Sequence, residues 1–355
     1  MGRVVSIRAA VFLLVGCTSF STGGVQAGTP ETHQLLKRIF APELLIDKSL
    51  PPLEPEYCGV EIQAMVAAAW SDLEPGLRDA IPNQIRPLEL RRPGDKGIDG
   101  TEVCDAFLDS EHFRIHYSTE PEHQPQGYPD LTAVRTLAEN LEAAYLHHRD
   151  VSGMGVIMPD GERGGGVDLF DCYYYLLPNG LFGWASGMDH VESACENSLN
   201  GIFAVTTDSG TRNFESQQKC TSEHEYYHLL QYAYNYRQSS WVLESTARNS
   251  EFHVWPEHAN PWGVWQWMTH PYYSLWDGSD FHKYAPHFWI YLEAHYGRDF
   301  MTRIWKRSCH QNVFDALFEE VAELGADLDD ILADFALWNY FTGERDDGRH
   351  YDPAY

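Results

Sequence analysis

An α+β fold is the architecture this 355-residue sequence predicts, and three observations carry the expectation. Strand-like stretches are grouped before residue 206. Helical periodicity dominates from Cys220 to the C-terminus. The alternation of strand and helix that would mark a doubly wound parallel sheet is missing, so strands and helices are expected to segregate.

The elements follow in chain order. Residues 30–50 read as a short helix with Leu35, Leu36, Ile39 and Phe40 on its apolar side, and Pro51, Pro52 and Pro55 then interrupt regular structure. Glu61 to Glu74 carries Met65, Ala69 and Leu73 at helical spacing, with Pro75-Gly76 expected to end the helix. Arg91 to Gly100 is a charged, Pro- and Gly-containing connector, suited to a boundary between an N-terminal region and the main domain. Phe113 to Tyr117 alternates with period two: Phe113, Ile115 and Tyr117 on one face, Arg114 and His116 on the other. Asp130 is placed to cap a long helix striped by Val134, Leu137, Leu141 and Tyr145, and His147-His148 at its end suits the helix dipole. Gly164-Gly165-Gly166 leads into a strand at Val167–Leu177, and Gly201–Thr206 is another. Helices are expected over Cys220–Tyr234, Trp241–Glu251, Pro286–Tyr296, Val313–Leu324 and Leu328–Phe341.

The N-terminus has the pattern of an export signal. Arg3 and Arg8 precede an apolar run, Ala9–Gly16, too short to span a bilayer. Val25-Gln26-Ala27 offers small residues for a cut after 27, while Leu14-Val15-Gly16-Cys17 offers a lipoprotein cut that would leave Cys17 as a lipid anchor. The expected organisation is a signal peptide at 1–27, a helical region at 28–95 that either acts as a pro-segment or belongs to the fold, and a main domain at 96–355. The protein is therefore expected outside the cytoplasm: secreted, periplasmic, or held as an outer-membrane lipoprotein. Setting Cys17 aside leaves Cys58, Cys104, Cys172, Cys195, Cys220 and Cys309, an even set that in an exported chain suggests disulfides. A net charge of −27 argues against nucleic acid and anionic membrane surfaces as partners, because both would repel it.

The chemistry concentrates in His224-Glu225-Tyr226-Tyr227-His228. Residues i and i+4 of a helix share a face, so two imidazoles can meet one ion, and Glu225 stands one step round the helix to act on a water. A catalytic zinc takes three protein ligands and leaves a position open. A histidine six residues after the second would mark a metzincin, but Tyr234 occupies that place. Glu244, sixteen residues after His228 and at the start of a second helix, is the leading third ligand, with Glu251, His253 and His258 as alternatives. Glu251, two turns past Glu244, would also serve as hydrogen-bond partner of a ligating histidine. Cys220, one turn before His224, is expected in a disulfide that pins this helix. Asp168 and Asp171, and separately Asp327, Asp329 and Asp330, are candidates for Ca2+, though neither group has an ordered loop signature.

Glu-His-Glu-Tyr-Tyr-His-Leu-Leu-Gln-Tyr, followed by Trp-Val-Leu-Glu-Ser-Thr-Ala, resembles the gluzincins, the thermolysin-like clan of zinc peptidases, and within it a group of secreted bacterial metallopeptidases. Tyr284 to Gly297 is similar to a helix many gluzincins carry downstream. The resemblance covers roughly residues 100–310, with its two sharp motifs in the middle, and it departs from the pattern at Glu223, where a small residue is usual. It implies a zincin-like domain with a mainly antiparallel sheet, an HExxH active-site helix, a following Glu helix and a helical C-terminal part. It further implies Zn2+ held by His224, His228 and Glu244, Glu225 as general base, a protein or peptide substrate, and His282 or Tyr284 as donor to the oxyanion. Two other readings compete: a catalytically silent zincin fold serving as a surface binding module, and a carbohydrate-binding protein using the aromatic segment Phe252–Tyr296. The intact Glu225 speaks against the first.

Overall fold

The computed structural model describes residues 30–350, apart from internal stretches of which the longest are 46–56, 82–102, 124–130, 156–167, 260–266 and 276–285. The signal region with Cys17, the connector 91–100, the cap at Asp130, the triple glycine and the two oxyanion candidates, His282 and Tyr284, lie outside the described residues.

The chain is α+β. A six-stranded sheet has the order β1-β5-β6-β4-β3-β2, from β1 (Tyr57–Cys58), β2 (Ala106–Asp109), β3 (Phe113–Tyr117), β4 (Phe170–Tyr175), β5 (Leu181–His190) and β6 (Leu199–Thr206). The helices are α1 (Pro30–Phe40), α2 (Pro75–Ala80), α3 (Leu131–His147), α4 (Phe214–Asn235), α5 (Ser240–Val254), α6 (His287–Tyr296), α7 (Phe300–Arg307), α8 (Val313–Glu323) and α9 (Leu328–Tyr340). The helical turn before Pro75 ends at Asp72, ahead of the proline as expected, and Pro75 then begins a new helix. It opens α2 from the first turn, where its missing N–H costs nothing.

The sheet is mixed, which corrects the mainly antiparallel arrangement. The pairings β1–β5, β3–β4 and β4–β6 are parallel, and only β2–β3 and β5–β6 are antiparallel. The reason is α3: it lies between β3 and β4 in the chain and returns it for a parallel pairing, so one βαβ unit sits inside the segregated plan.

Both sheet faces are covered, so the central strands bury every position rather than every second one: β4 and β6 are buried along their whole length. Phe113, Ile115, Phe170, Cys172, Tyr174, Phe203 and Val205 face a core shared with α3, α4, α5 and the C-terminal helices. Tyr173, Tyr175, Trp184, Ile202 and Ala204 face the other way, against Leu36, Ile39, Ile62, Val66, Leu77 and Ile81 of the N-terminal region.

β5 has no strand signal in its sequence because Gly183 and Gly187 interrupt it. Both positions are close approaches. A Cβ on Gly187 would stand 2.5 Å from Leu199 Cδ1, and one on Gly183 would stand 2.5 Å from Glu225 Cγ.

Cys195, just before β6, is bonded to Cys309, just after α7. Cys220 is not the expected staple: it is a thiol buried in α4. The bridge instead reinforces the far end of that helix. Nearby, Asn235 donates to the carbonyls of Ser308 (2.8 Å) and Gln311 (2.9 Å), and the Tyr236 N–H donates to Asn197 O (3.1 Å). The bridge closes a sequence separation of 114 residues, so replacing both cysteines with alanine is expected to lower unfolding free energy by about 2–5 kcal/mol. Denaturant unfolding of oxidised wild type beside Cys195→Ala/Cys309→Ala checks this; equal midpoints and slopes would contradict it.

Candidate metal centre

α4 starts where Asn213 accepts from the N–H groups of Glu215 (2.9 Å) and Ser216 (3.4 Å), a side-chain cap that satisfies two otherwise orphaned donors. From Cys220 to Asn235 every residue is buried. A helix wrapped on all sides is normally apolar, yet this one carries Thr221, Ser222, Glu223, His224, Glu225, His228 and Gln231 in its buried stretch. Buried polar groups need partners, and those partners define the site.

α5 supplies most of them. The Ser239 hydroxyl accepts from Val242 N–H (3.4 Å) to start it, and the turn at 236–239 folds α5 back on α4. His224 donates through Nδ1 to Glu251 (2.9 Å) and through Nε2 to Glu244 (3.1 Å). Arg248 donates to the second oxygen of Glu251 (2.8 Å), so Glu251 holds its ring from an anchored position. His224, His228 and Glu244 each offer a ligand atom, these atoms lie within 4.8 Å of one another, and all three residues are buried. The two rings are 4.8 Å apart and nearly perpendicular.

His228 is oriented by a residue the sequence did not single out. Gln231 donates through Nε2 to the carbonyl of Leu243 (2.9 Å) and to Thr246 Oγ1 (2.8 Å). A carbonyl only accepts, so the amide orientation is fixed and Oε1 faces His228 Nδ1 at 2.7 Å. Nδ1 therefore carries the proton, and Nε2 keeps the lone pair a metal requires. The signal existed in the sequence, since Gln231 is three residues after His228 and on the same side of the helix; the missing knowledge was that α5 would present Leu243 O and Thr246 to it.

Glu225 is 1% exposed. Its carboxyl group lies over β5 at Gly183, where a Cβ would come within 2.6 Å of Oε1; the strand has a glycine there because any side chain would displace the carboxylate. The alternative ligands go elsewhere. Glu251 binds His224, His253 is paired with Glu293 (2.7 Å), and His258 contacts Ser216 (2.9 Å) and Lys219 (3.1 Å). Glu223 turns inward to accept from His148 Nε2 (2.7 Å), with both side chains fully enclosed. His148, just past the end of α3, is thus a buried tie to α4. Burial opposes the Glu223 charge, but His148 beside it holds the carboxyl below its ordinary pKa. Of the calcium candidates, Asp171 is fully buried against His116 (2.5 Å), Asp327 caps α9, and Asp168, Asp329 and Asp330 are exposed.

The two histidines titrate in opposite senses. Burial pushes both down; for His224 the hydrogen bonds to Glu244 and Glu251 win, raising it to about 10, whereas His228, beside the His224 charge, falls to about 4. At neutral pH His228 is ready to ligate while His224 holds a proton that a metal must displace.

No protein-family model, curated protein or solved structure matches this chain.

Two predictions follow from the protonation pattern and the ties. Because His224 stays protonated below about 10 and His228 is neutral above about 4, zinc uptake at pH 6 should release about one proton, and apparent affinity should rise about tenfold per pH unit towards that upper value. Calorimetry in buffers of differing ionisation enthalpy measures the release. Gln231→Ala, which frees the His228 ring, should weaken zinc binding about 10- to 100-fold; competition with a chromophoric chelator reads this directly, and unchanged affinity would remove Gln231 from the site.

Proposed function

We propose that this chain is an exported zinc-dependent endopeptidase of gluzincin type. The observation that carries the reading is the convergence of ligand atoms of His224, His228 and Glu244, all three buried, within 4.8 Å of one another, with Glu225 following the first histidine. The donor set fits zinc: two imidazoles and one carboxylate, the three protein ligands that a catalytic zinc takes. The ties to Glu251 and Gln231 fit as well, since each holds a ring nitrogen that does not face the common point of the three donors.

In this reading His224, His228 and Glu244 hold the ion. When bound, zinc supplies Lewis acidity and makes a water easier to deprotonate. Glu225 takes the proton from the water as it attacks the scissile carbonyl, then delivers it to the departing amine. Its place over Gly183 keeps it against the sheet rather than swinging into solvent. Burial of the site excludes bulk water and strengthens these interactions. His282 and Tyr284 are the proposed oxyanion donors. A peptide as substrate is supported by the likeness of the two helical motifs to gluzincin helices. Export is supported by the basic and apolar N-terminus and by the Cys195–Cys309 disulfide, a bond that persists in oxidising compartments. Among the described residues no helix is long and apolar enough to cross a membrane.

Glu225→Gln should retain zinc and lose roughly 100- to 10,000-fold in kcat, while His228→Ala should lose the metal itself. Metal analysis beside cleavage of casein and quenched peptides, with and without chelator, separates the two effects. Undiminished turnover in Glu225→Gln would sink the mechanism.

A further inference from the structure

α3 runs into a π-helical turn, His148–Ser152, closed by Gly153 at φ 69°. Such turns are rare and are found mostly at functional positions. At this one, two neighbouring histidines reach a junction of four helices. His148 is enclosed, and its Nε2 lies 2.7 Å from Glu223 of α4. The His147 ring stands 5.5 Å from that of His148 and 6.4 Å from that of His253 on α5. His253 Nε2 lies 2.7 Å from Glu293 of α6, and Asn249 donates to the same carboxylate oxygen (3.0 Å). The proposed chemistry uses none of these groups.

The junction holds three imidazoles and two carboxylates. Glu223 is taken by His148 and Glu293 by His253, which leaves His147 without a carboxylate partner among the described residues. The groups around His147 are mostly cationic or able to become so: His148 beside it, His253 from α5 and Arg298 after α6, against Glu223 from α4. Glu293 of α6 faces His253, and Lys306 of α7 stands beside Gly153. On the strand side of α3, Glu142 and His112 are closed on each other (2.7 Å). A third proton therefore puts positive charge among positive charges in a site withdrawn from water. Burial first, and then His148, hold the His147 ring down to about 4.

We propose that this junction is an acid-sensitive lock on α4: while His147 is neutral, the end of α3 stays tied through His148 and Glu223 to the helix that carries the proposed metal ligands, and protonation of the third imidazole releases it. Glu223 immediately precedes His224, so the lock acts one residue from the centre. It rests on the zinc reading for what it controls, and on the junction alone for how it opens. His147 is held below the ordinary histidine value of 6.5, so the opened form takes up the proton first. The lock is therefore fully closed above about 6.5 and weakens as pH falls towards about 4, below which this residue adds no further loss.

The test uses the full chain, supplied with zinc at pH 7. The amides of Gly153 and Met154 donate to His148 O, and their hydrogen exchange reports the state of the lock. Their protection, taken relative to the intrinsic exchange rate, should fall about tenfold per pH unit from about pH 6.5 to about pH 4. In His147→Gln, which has no ring to protonate, that dependence should disappear. The pH at which half the zinc is released should also be lower in His147→Gln than in wild type. Wild-type protection that does not change with pH overturns the lock, whether or not the variant folds, and so does an equal slope in His147→Gln. Identical zinc-release curves, with the exchange slopes differing as expected, overturn its hold on α4. A full chain that takes up no zinc at pH 7 but keeps the His147-dependent slope overturns the zinc reading and leaves the lock standing.

Discussion

His224 joins two helices through both of its ring nitrogens, and much of the structure is arranged to make that possible. Glu244 and Glu251 stand two turns apart on α5, and His224 reaches one with each nitrogen. An imidazolium and two carboxylates in a dry interior are tolerable only when the set is complete, since an unpaired buried charge costs several kcal/mol. The turn at 236–239, the Ser239 cap and the Gln231 ties all serve to keep α5 at the right height beside α4. The disulfide and the Asn235 hydrogen bonds hold the C-terminal end of α4 against the segment after α7.

On the zinc reading, a proton and a metal would compete for the same nitrogen. Without an ion, His224 bridges its carboxylates as a cation. With one, the ion would supply the positive charge at the centre of the group in place of the proton that His224 shares with Glu244. The surrounding packing would have little to change between the two states, because the Glu251 hydrogen bond to Nδ1 leaves Nε2 to the ion. A site preorganised in this way would bind an ion without first having to order its ligands.

The sequence disclosed those parts of the fold in which local pattern and final environment agree. Phe113–Tyr117 was legible as β3 because its alternation survives burial, and α3 because Val134, Leu137 and Leu141 do face a core. α4 was legible for another reason: His224 and His228 at i and i+4 are a spacing with chemical meaning, and the structure brings them together with Glu244. β5 was not legible, since its glycines are explained by Glu225 and Leu199, residues remote in sequence. The sheet's parallel pairings were missed because they depend on where α3 returns the chain. Gln231 was missed because its role comes from Leu243 and Thr246, and Cys220 was misassigned because cysteine count carries no geometry. What local pattern leaves out is the identity of the neighbour, and the second half of this site is made of neighbours.

The two-sided sheet has a consequence for how the chain reaches this state. The apolar residues of the N-terminal layer, Leu36 to Ile81, have as their counterpart Tyr173, Trp184 and Ile202, which leave the ribosome much later. Until then the layer lacks the surface it packs against in the finished fold. Contacts this distant in sequence make folding slow and late. The packing that fixes the layer in the finished protein therefore depends on sheet residues made long after it, and cannot be completed before they are.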